Sequence, residues 1–171
     1  MTVRVNKSSF NIREKLKSLD YSHLPYEKVQ PGGVVQIVTK EVTNLFAATT
    51  TNGINITDWY IDVSPKLENS IFHYETNWSA QNSSSSGYNR WSIIDTNHGG
   101  VKLNDNLYIA GDGYHTGTSE WYNTYASAIF TASAGLETMR VQLRLYVIGG
   151  TTDLMWSASD NRVIKVTEIA Q

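Results

Sequence analysis

Five aromatic residues, Tyr88, Trp91, Tyr114, Trp121 and Tyr122, stand in stretches crowded with Asn, Asp, Ser and Gly. An aromatic ring beside such side chains can stack on the apolar face of a sugar while its neighbours bond the hydroxyls. These five residues are the candidate ligand-binding set, and a glycan is the chemistry they suit. The same rings could instead staple long loops onto the body of the domain or onto a neighbouring subunit. Bond-making chemistry finds less support. There is no G-x-S-x-G elbow, no G-x-x-x-x-G-K-[ST] phosphate loop and no H-E-x-x-H. Gly111-Asp112-Gly113 lacks the strand-to-helix setting that makes a glycine loop a phosphate cradle. His23, His73, His98 and His115 are scattered, so no local pair has metal-ligand spacing. Asp112, His115 and Ser119 can be drawn as a hydrolytic trio, but their spacing follows no known catalytic pattern. Asp95-Thr96-Asn97-His98-Gly99-Gly100 echoes the start of a calcium loop, yet its twelfth position is Asn106, where a bidentate glutamate is needed. No catalytic residue, metal or cofactor is assigned, and the chain is read as a non-enzyme.

The bulk properties set the frame. A chain of 171 residues makes one ordinary domain, burying roughly 70% of its extended-chain surface. It has no cysteine, so neither disulfides nor thiolate metal sites arise. A net charge of −2 is mild and argues neither for nucleic acid nor for a membrane surface as partner, and neither is assigned. Five Trp and ten Tyr supply bulk for a β core as well as for a ligand platform. No apolar run at the start resembles a signal peptide, and none approaches a membrane span. The expectation is a soluble protein made outside the secretory route, without membrane insertion. The Asn-x-Ser/Thr triplets at Asn6, Asn55, Asn77 and Asn82 are then chance matches.

The clearest element lies at residues 137–148. Met139, Val141, Leu143, Leu145 and Val147 share one parity, while Arg140, Gln142, Arg144 and Tyr146 share the other. That alternation is a strand with one oily and one wet face, ended in this reading by Gly149-Gly150. A strand buried on one side implies an antiparallel sheet packed on a second layer. Similar patterns predict strands over 34–39, 58–63, 70–78, 88–94, 107–110, 125–134, 153–157 and 162–169. Residues 49–53 read as a loop or hairpin tip, 95–100 and 104–106 as turns, and 111–122 as a long loop. Near the start, Asn11 and Glu14 form a capping pair ahead of Ile12, Leu16 and Leu19, an apolar stripe at helical spacing. So short a helix must dock on something. The fold expected is mainly β, an antiparallel β-sandwich or jelly roll preceded by a short N-terminal α-helix. Residues 1–33 are the arm, helix and connector, and 34–171 the β domain.

Certain segments carry a resemblance. They are residues 5–16 (Val-Asn-Lys-Ser-Ser-Phe-Asn-Ile-Arg-Glu-Lys-Leu), 33–38 (Gly-Val-Val-Gln-Ile-Val), 61–66 (Ile-Asp-Val-Ser-Pro-Lys) and 166–170 (Val-Thr-Glu-Ile-Ala). In these the chain resembles a family of small structural proteins of marine tailed phages, especially those of cyanobacteria. The resemblance spans both ends and the first half of the β body, and residues 82–119 match nothing in it. It implies a virion component assembled in the host cytoplasm, often a homotrimer at a tail-fibre tip, held to other virion proteins by the N-terminal arm and helix. It brings no catalytic residues. Host-surface glycan attachment is the first role it suggests. A capsid decoration or cement protein, or a tail connector, is the alternative.

Overall fold

The computed structural model describes residues 29–82, 88–103, 113–114, 121–132, 135–154 and 162–171. The expected helix carrying Ile12, Leu16 and Leu19 lies outside the described residues, as do the expected turn at 104–106 and strand at 107–110. Nine strands follow in chain order: β1 (Val34–Val42), β2 (Phe46–Val63), β3 (Ile71–Asn82), β4 (Tyr88–Asp95), β5 (Val101–Lys102), β6 (Gly113–Tyr114), β7 (Tyr122–Thr131), β8 (Met139–Leu154) and β9 (Arg162–Ile169).

Every pairing is antiparallel, and most are nested. β1 pairs with β9, β2 with β8, β3 with β7, and β4 with both β5 and β6. The chain is thus one long hairpin, bent so that its own strands become neighbours again: β3 also meets β9, and β4 also meets β8. One run of strands reads β1-β9-β3-β7 and the other β2-β8-β4, with β5 and β6 beside β4. At one end, residues 80–82 of β3 pair with β8, stitching the two runs together.

The runs face one another across an aromatic core. Trp78 of β3 meets the edge of Trp59 from β2 at 5.5 Å between ring centres, and Trp91 of β4 at 4.3 Å. Edge-on and tilted contacts of this kind add to simple burial. Trp59 and Trp78 find no hydrogen-bond partner for their indole N–H among the described residues, so they stabilise by packing. Met139, Val141, Leu143, Leu145 and Val147 are all fully buried, as the parity of β8 predicts. Phe72 and Phe130, paired in register between β3 and β7, stack at 5.6 Å. The packing is sandwich-like, with one oily face per sheet turned inward.

Two sequence expectations are corrected. Residues 49–53 are no hairpin tip; they run through β2. Gly149-Gly150 does not end β8, which continues to Leu154. Both glycines have left-handed backbone, φ 77° and 75°. They bulge out of the ladder where the register jumps from Thr49↔Thr151 to Thr51↔Val147. A bulge absorbs extra residues and bends a strand without breaking it. β2 bulges in turn: between Asn55↔Arg144 and Tyr60↔Gln142 it holds four intervening residues against one. Ile56 and Trp59 in this bulge are fully buried.

A charged group ties the first sheet together. Glu168 is fully buried on the core parity of β9, beside Ile164 and Val166. Its carboxylate accepts from Lys66 N (2.9 Å), Leu67 N (3.0 Å), Ser70 Oγ (2.7 Å) and Gln36 Nε2 (2.6 Å). Buried carboxylates survive only when so completely bonded.

Truncating Trp78 to Ala opens a cavity between the sheets and should lower unfolding stability by about 4 kcal/mol. Glu168→Ala takes the acceptor from the Lys66 and Leu67 N–H groups, while Gln36 and Ser70 keep Ser64 O and Leu67 O, and should cost about 3 kcal/mol. Urea unfolding of both variants checks this; a loss under about 1 kcal/mol in either would show that site to be peripheral.

Candidate functional site

The strand register decides where the five candidate aromatics go. β3 ends at Asn82 and β4 begins at Tyr88. Tyr88 lies opposite Ile148 of β8 and opposite Tyr114 of β6. Tyr122 opens β7 opposite Ala80 of β3, and Trp121, immediately before it, is half-buried. The β3–β8 stitch at residues 80–82 lies at this same end. Tyr88, Tyr114, Trp121 and Tyr122 therefore gather at one rim of the sandwich, although 34 positions separate the first from the last. Tyr88 opens β4, as the strand expected over 88–94 requires, whereas Tyr114 and Tyr122, expected in the loop 111–122, lie in strands.

Trp91 is not part of the rim. It points into the core, 1% exposed and packed on Trp78. Its place in the ligand-binding set is withdrawn. The sequence hid this because Ser92 and Ile94 are buried as well, so β4 shows no alternation.

The opposite rim holds a chain of titratable groups that the sequence did not announce. Asp95 is fully buried and closes β4. Its Oδ1 accepts from Asn97 N (3.0 Å) and Arg140 N (3.1 Å). Its Oδ2 meets His98 Nδ1 at 2.5 Å, and His98 Nε2 meets Glu137 Oε2 at 3.0 Å. The imidazole thus bridges the turn after β4 to the turn before β8. The ring nitrogens point to separate carboxylates, so the three groups form a line and not a cage. Among the described residues no group of three His, Asp or Glu is gathered to hold a metal. The apparent calcium-loop start is spent on this turn: Asp95 faces inward, and its carbonyl accepts from Gly100 N at 2.8 Å. One signal was available beforehand. Asp95 follows Trp91 and Ile93 on the apolar parity, and a carboxylate there requires partners.

The wet face of β8 carries a further array. Tyr60 lies between two cations, with Lys40 Nζ 3.4 Å and the Arg140 guanidinium 4.3 Å from its ring centre. Asp62 accepts from Arg140 through both oxygens, at 2.8 and 2.9 Å. That bidentate bond holds the Asp62 carboxyl below its usual range and raises Arg140. Burial lowers Lys40. On the first sheet, Glu75 is lowered by its bonds to Lys165 and Tyr125. These pairs order the surface; beside Glu75, His73 Nε2 meets the Ser127 hydroxyl at 2.8 Å while its Nδ1 lies 3.7 Å from Glu75 Oε2, so a hydroxyl does stand beside a base there.

No known protein family and no curated protein matches the sequence. Among solved structures, the chain is similar to infectious bursal disease virus Gt strain at TM-score 0.49 and 8% identity, over 81% of this chain and 39% of that one. It is similar to infectious bursal disease virus derived T=1 particles at TM-score 0.47 and 9% identity, over 81% and 37%. It is also similar to Eiger TNF from S. frugiperda at TM-score 0.45 and 13% identity, over 83% and 95%. The chain spans less than two-fifths of the viral chains' length. None of these likenesses reaches the similarity that assigns a family or an activity.

The hydrogen bond to Asp95 foremost, and then that to Glu137, raises the His98 pKa above its ordinary 6.5. A raised folded-state value means the bridge stabilises fully below the unfolded pKa, with the benefit lost as pH rises through the folded one. The melting-temperature gap between the native chain and His98→Asn should be wide at acid pH within the folded range and narrow at alkaline pH. A gap independent of pH would remove the imidazolium from the account.

Proposed function

We propose that the chain is a structural component of a tailed-phage particle, a jelly-roll-like head that adheres to a cell-surface glycan. Adhesion uses the rim bearing Tyr88, Tyr114, Trp121 and Tyr122, and involves no catalysis. The single observation that carries this reading is the register, which draws those four residues from three separate segments to one end of the sandwich. Aromatic residues brought to one sheet end by register suit a ligand of apolar faces and ringed hydroxyls, on which such side chains stack.

Two further observations support it. Three of the four segments that resemble the marine-phage proteins are joined at Glu168: Gln36 from residues 33–38, Lys66 from 61–66, and Glu168 itself from 166–170. The resemblance therefore follows the structural framework and does not include the rim segments. The nested pairing of β1·β9, β2·β8 and β3·β7 is the connectivity of a jelly roll, an arrangement used by capsid and lectin domains. That is an analogy of fold, and the site argument stands apart from it. In this reading the N-terminal segment with Ile12, Leu16 and Leu19 fastens the head to other virion proteins.

The purified protein should bind host cells or their lipopolysaccharide. The double variant Tyr88→Ala/Trp121→Ala should weaken that binding by about tenfold or more at unchanged melting temperature. Trp91→Ala should instead lower the melting temperature, since its ring is in the core. Undiminished binding by the rim variant would sink glycan adhesion at this site. A particle map with the rim pressed against capsid neighbours would replace attachment by a decoration role.

A further inference from the structure

Four edges bound the two runs of strands, and three carry devices that prevent sheet-to-sheet pairing. β1 holds Lys40 and Glu41 and a register shift between Val34 and Gln36. β2 has three register shifts, and Asp58 sits at φ 65° within the largest. The side beyond β4 ends in β5 and β6, each two residues long. Charges, bulges and shortness are the usual means of blunting an edge.

β7 has none of them. Its ten residues, YNTYASAIFT, include no charge and no proline. Its register against β3 is unbroken from Ile71↔Thr131 to Ala80↔Tyr122. Among the described residues β3 is its one strand partner. The outward parity carries Tyr125 at 56% exposure and Ile129 at 67%, with Ser127 between them. The Tyr125 hydroxyl donates to Glu75 Oε1 at 2.9 Å, which ties down the ring before any partner arrives. A long, unbulged, uncharged edge with two large exposed side chains is a pairing template.

The same ten residues are complementary to themselves. Set a second β7 antiparallel to the first, with Ser127 facing its own copy. Tyr125 then lies opposite Ile129 of the second copy, and this aromatic–β-branched pair occurs twice by symmetry. Asn123 faces Thr131, and on the buried parity Ala126 faces Ala128, small enough for close approach. No like charges meet.

We propose that β7 is a homotypic docking edge: a second copy of this chain pairs its own β7 antiparallel about a two-fold axis at Ser127. The β1-β9-β3-β7 runs of both copies then join into one eight-stranded sheet. This inference does not depend on the rim or its ligand. It differs from the three-fold assembly implied by the sequence resemblance, so stoichiometry separates them.

The test uses the full chain, which has no cysteine of its own. Sedimentation or native mass at micromolar concentrations should show a dimer, and Ile129→Lys should raise its dissociation constant about tenfold or more at unchanged melting temperature. Under mild oxidation, Ser127→Cys should cross-link to itself. Ile129→Cys alone should not, but an equal mixture of Tyr125→Cys and Ile129→Cys should. A monomer throughout, a trimer, or Ser127→Cys cross-linking no faster than the exposed control Val101→Cys would overturn the proposal.

Discussion

A fully buried carboxylate holds the first sheet to its connections. Glu168, on the last strand, accepts hydrogen bonds from the β1 side chain Gln36 and from the β2–β3 connection at Lys66, Leu67 and Ser70. Three parts of the chain, more than 130 positions apart at the extreme, converge on one side chain. A carboxylate withdrawn from water is strongly unfavourable unless every lone pair is answered. That requirement makes the arrangement specific. A β1 register other than Gln36↔Glu168 would remove one of the four donors to this carboxylate. Oily residues at the same place would tolerate slippage far better.

The nested pairing has a consequence for how the domain is built. Strands that meet are mostly distant in sequence, as with β1 and β9, so loop-closure entropy must be lost before the sheets repay it. The tryptophan cluster of residues 59, 78 and 91 supplies that return, because it joins β2, β3 and β4 across both runs. The bulges at Gly149-Gly150 and around Asp58 serve the same end. They bend long strands so that β2 and β8 can follow the curvature of the sandwich while Trp59 turns inward. Gly53 shows how close the packing runs, since a Cβ there would lie 2.7 Å from the Tyr146 ring.

The two ends of the sandwich divide the chemistry. One end is aromatic, with Tyr88, Tyr114, Trp121 and Tyr122 brought in by strand register. The other is ionic, with Asp95, His98 and Glu137 pinning two turns together. Between them lies a wall whose surface charges are mostly answered by neighbours, as Asp62 answers Arg140 and Lys165 answers Glu75. A rigid wall with distinct ends suits display and adhesion, where geometry must persist without substrate to organise it.

Alternation along single strands was legible from the sequence. It located β3, β7, β8 and β9 and named the buried side of β8, because a side chain's face follows from backbone geometry two residues at a time. The antiparallel, layered class followed from the same local rule. At β4 it placed the strand but not the face, since both sides are buried, and it failed at the glycines of 149–150 and at residue 53, where a bulge and a turn have the same composition. What the tertiary structure alone decided was which distant segments meet. Nothing in the neighbourhood of Trp91 reveals that it faces Trp78, and nothing near Glu168 reveals Lys66 or Gln36. Those partnerships depend on the wrapping of the whole hairpin, a property of the folded chain and of no window within it. An acid on the oily parity, as at Asp95 and Glu168, is the one local sign that such a partner must exist.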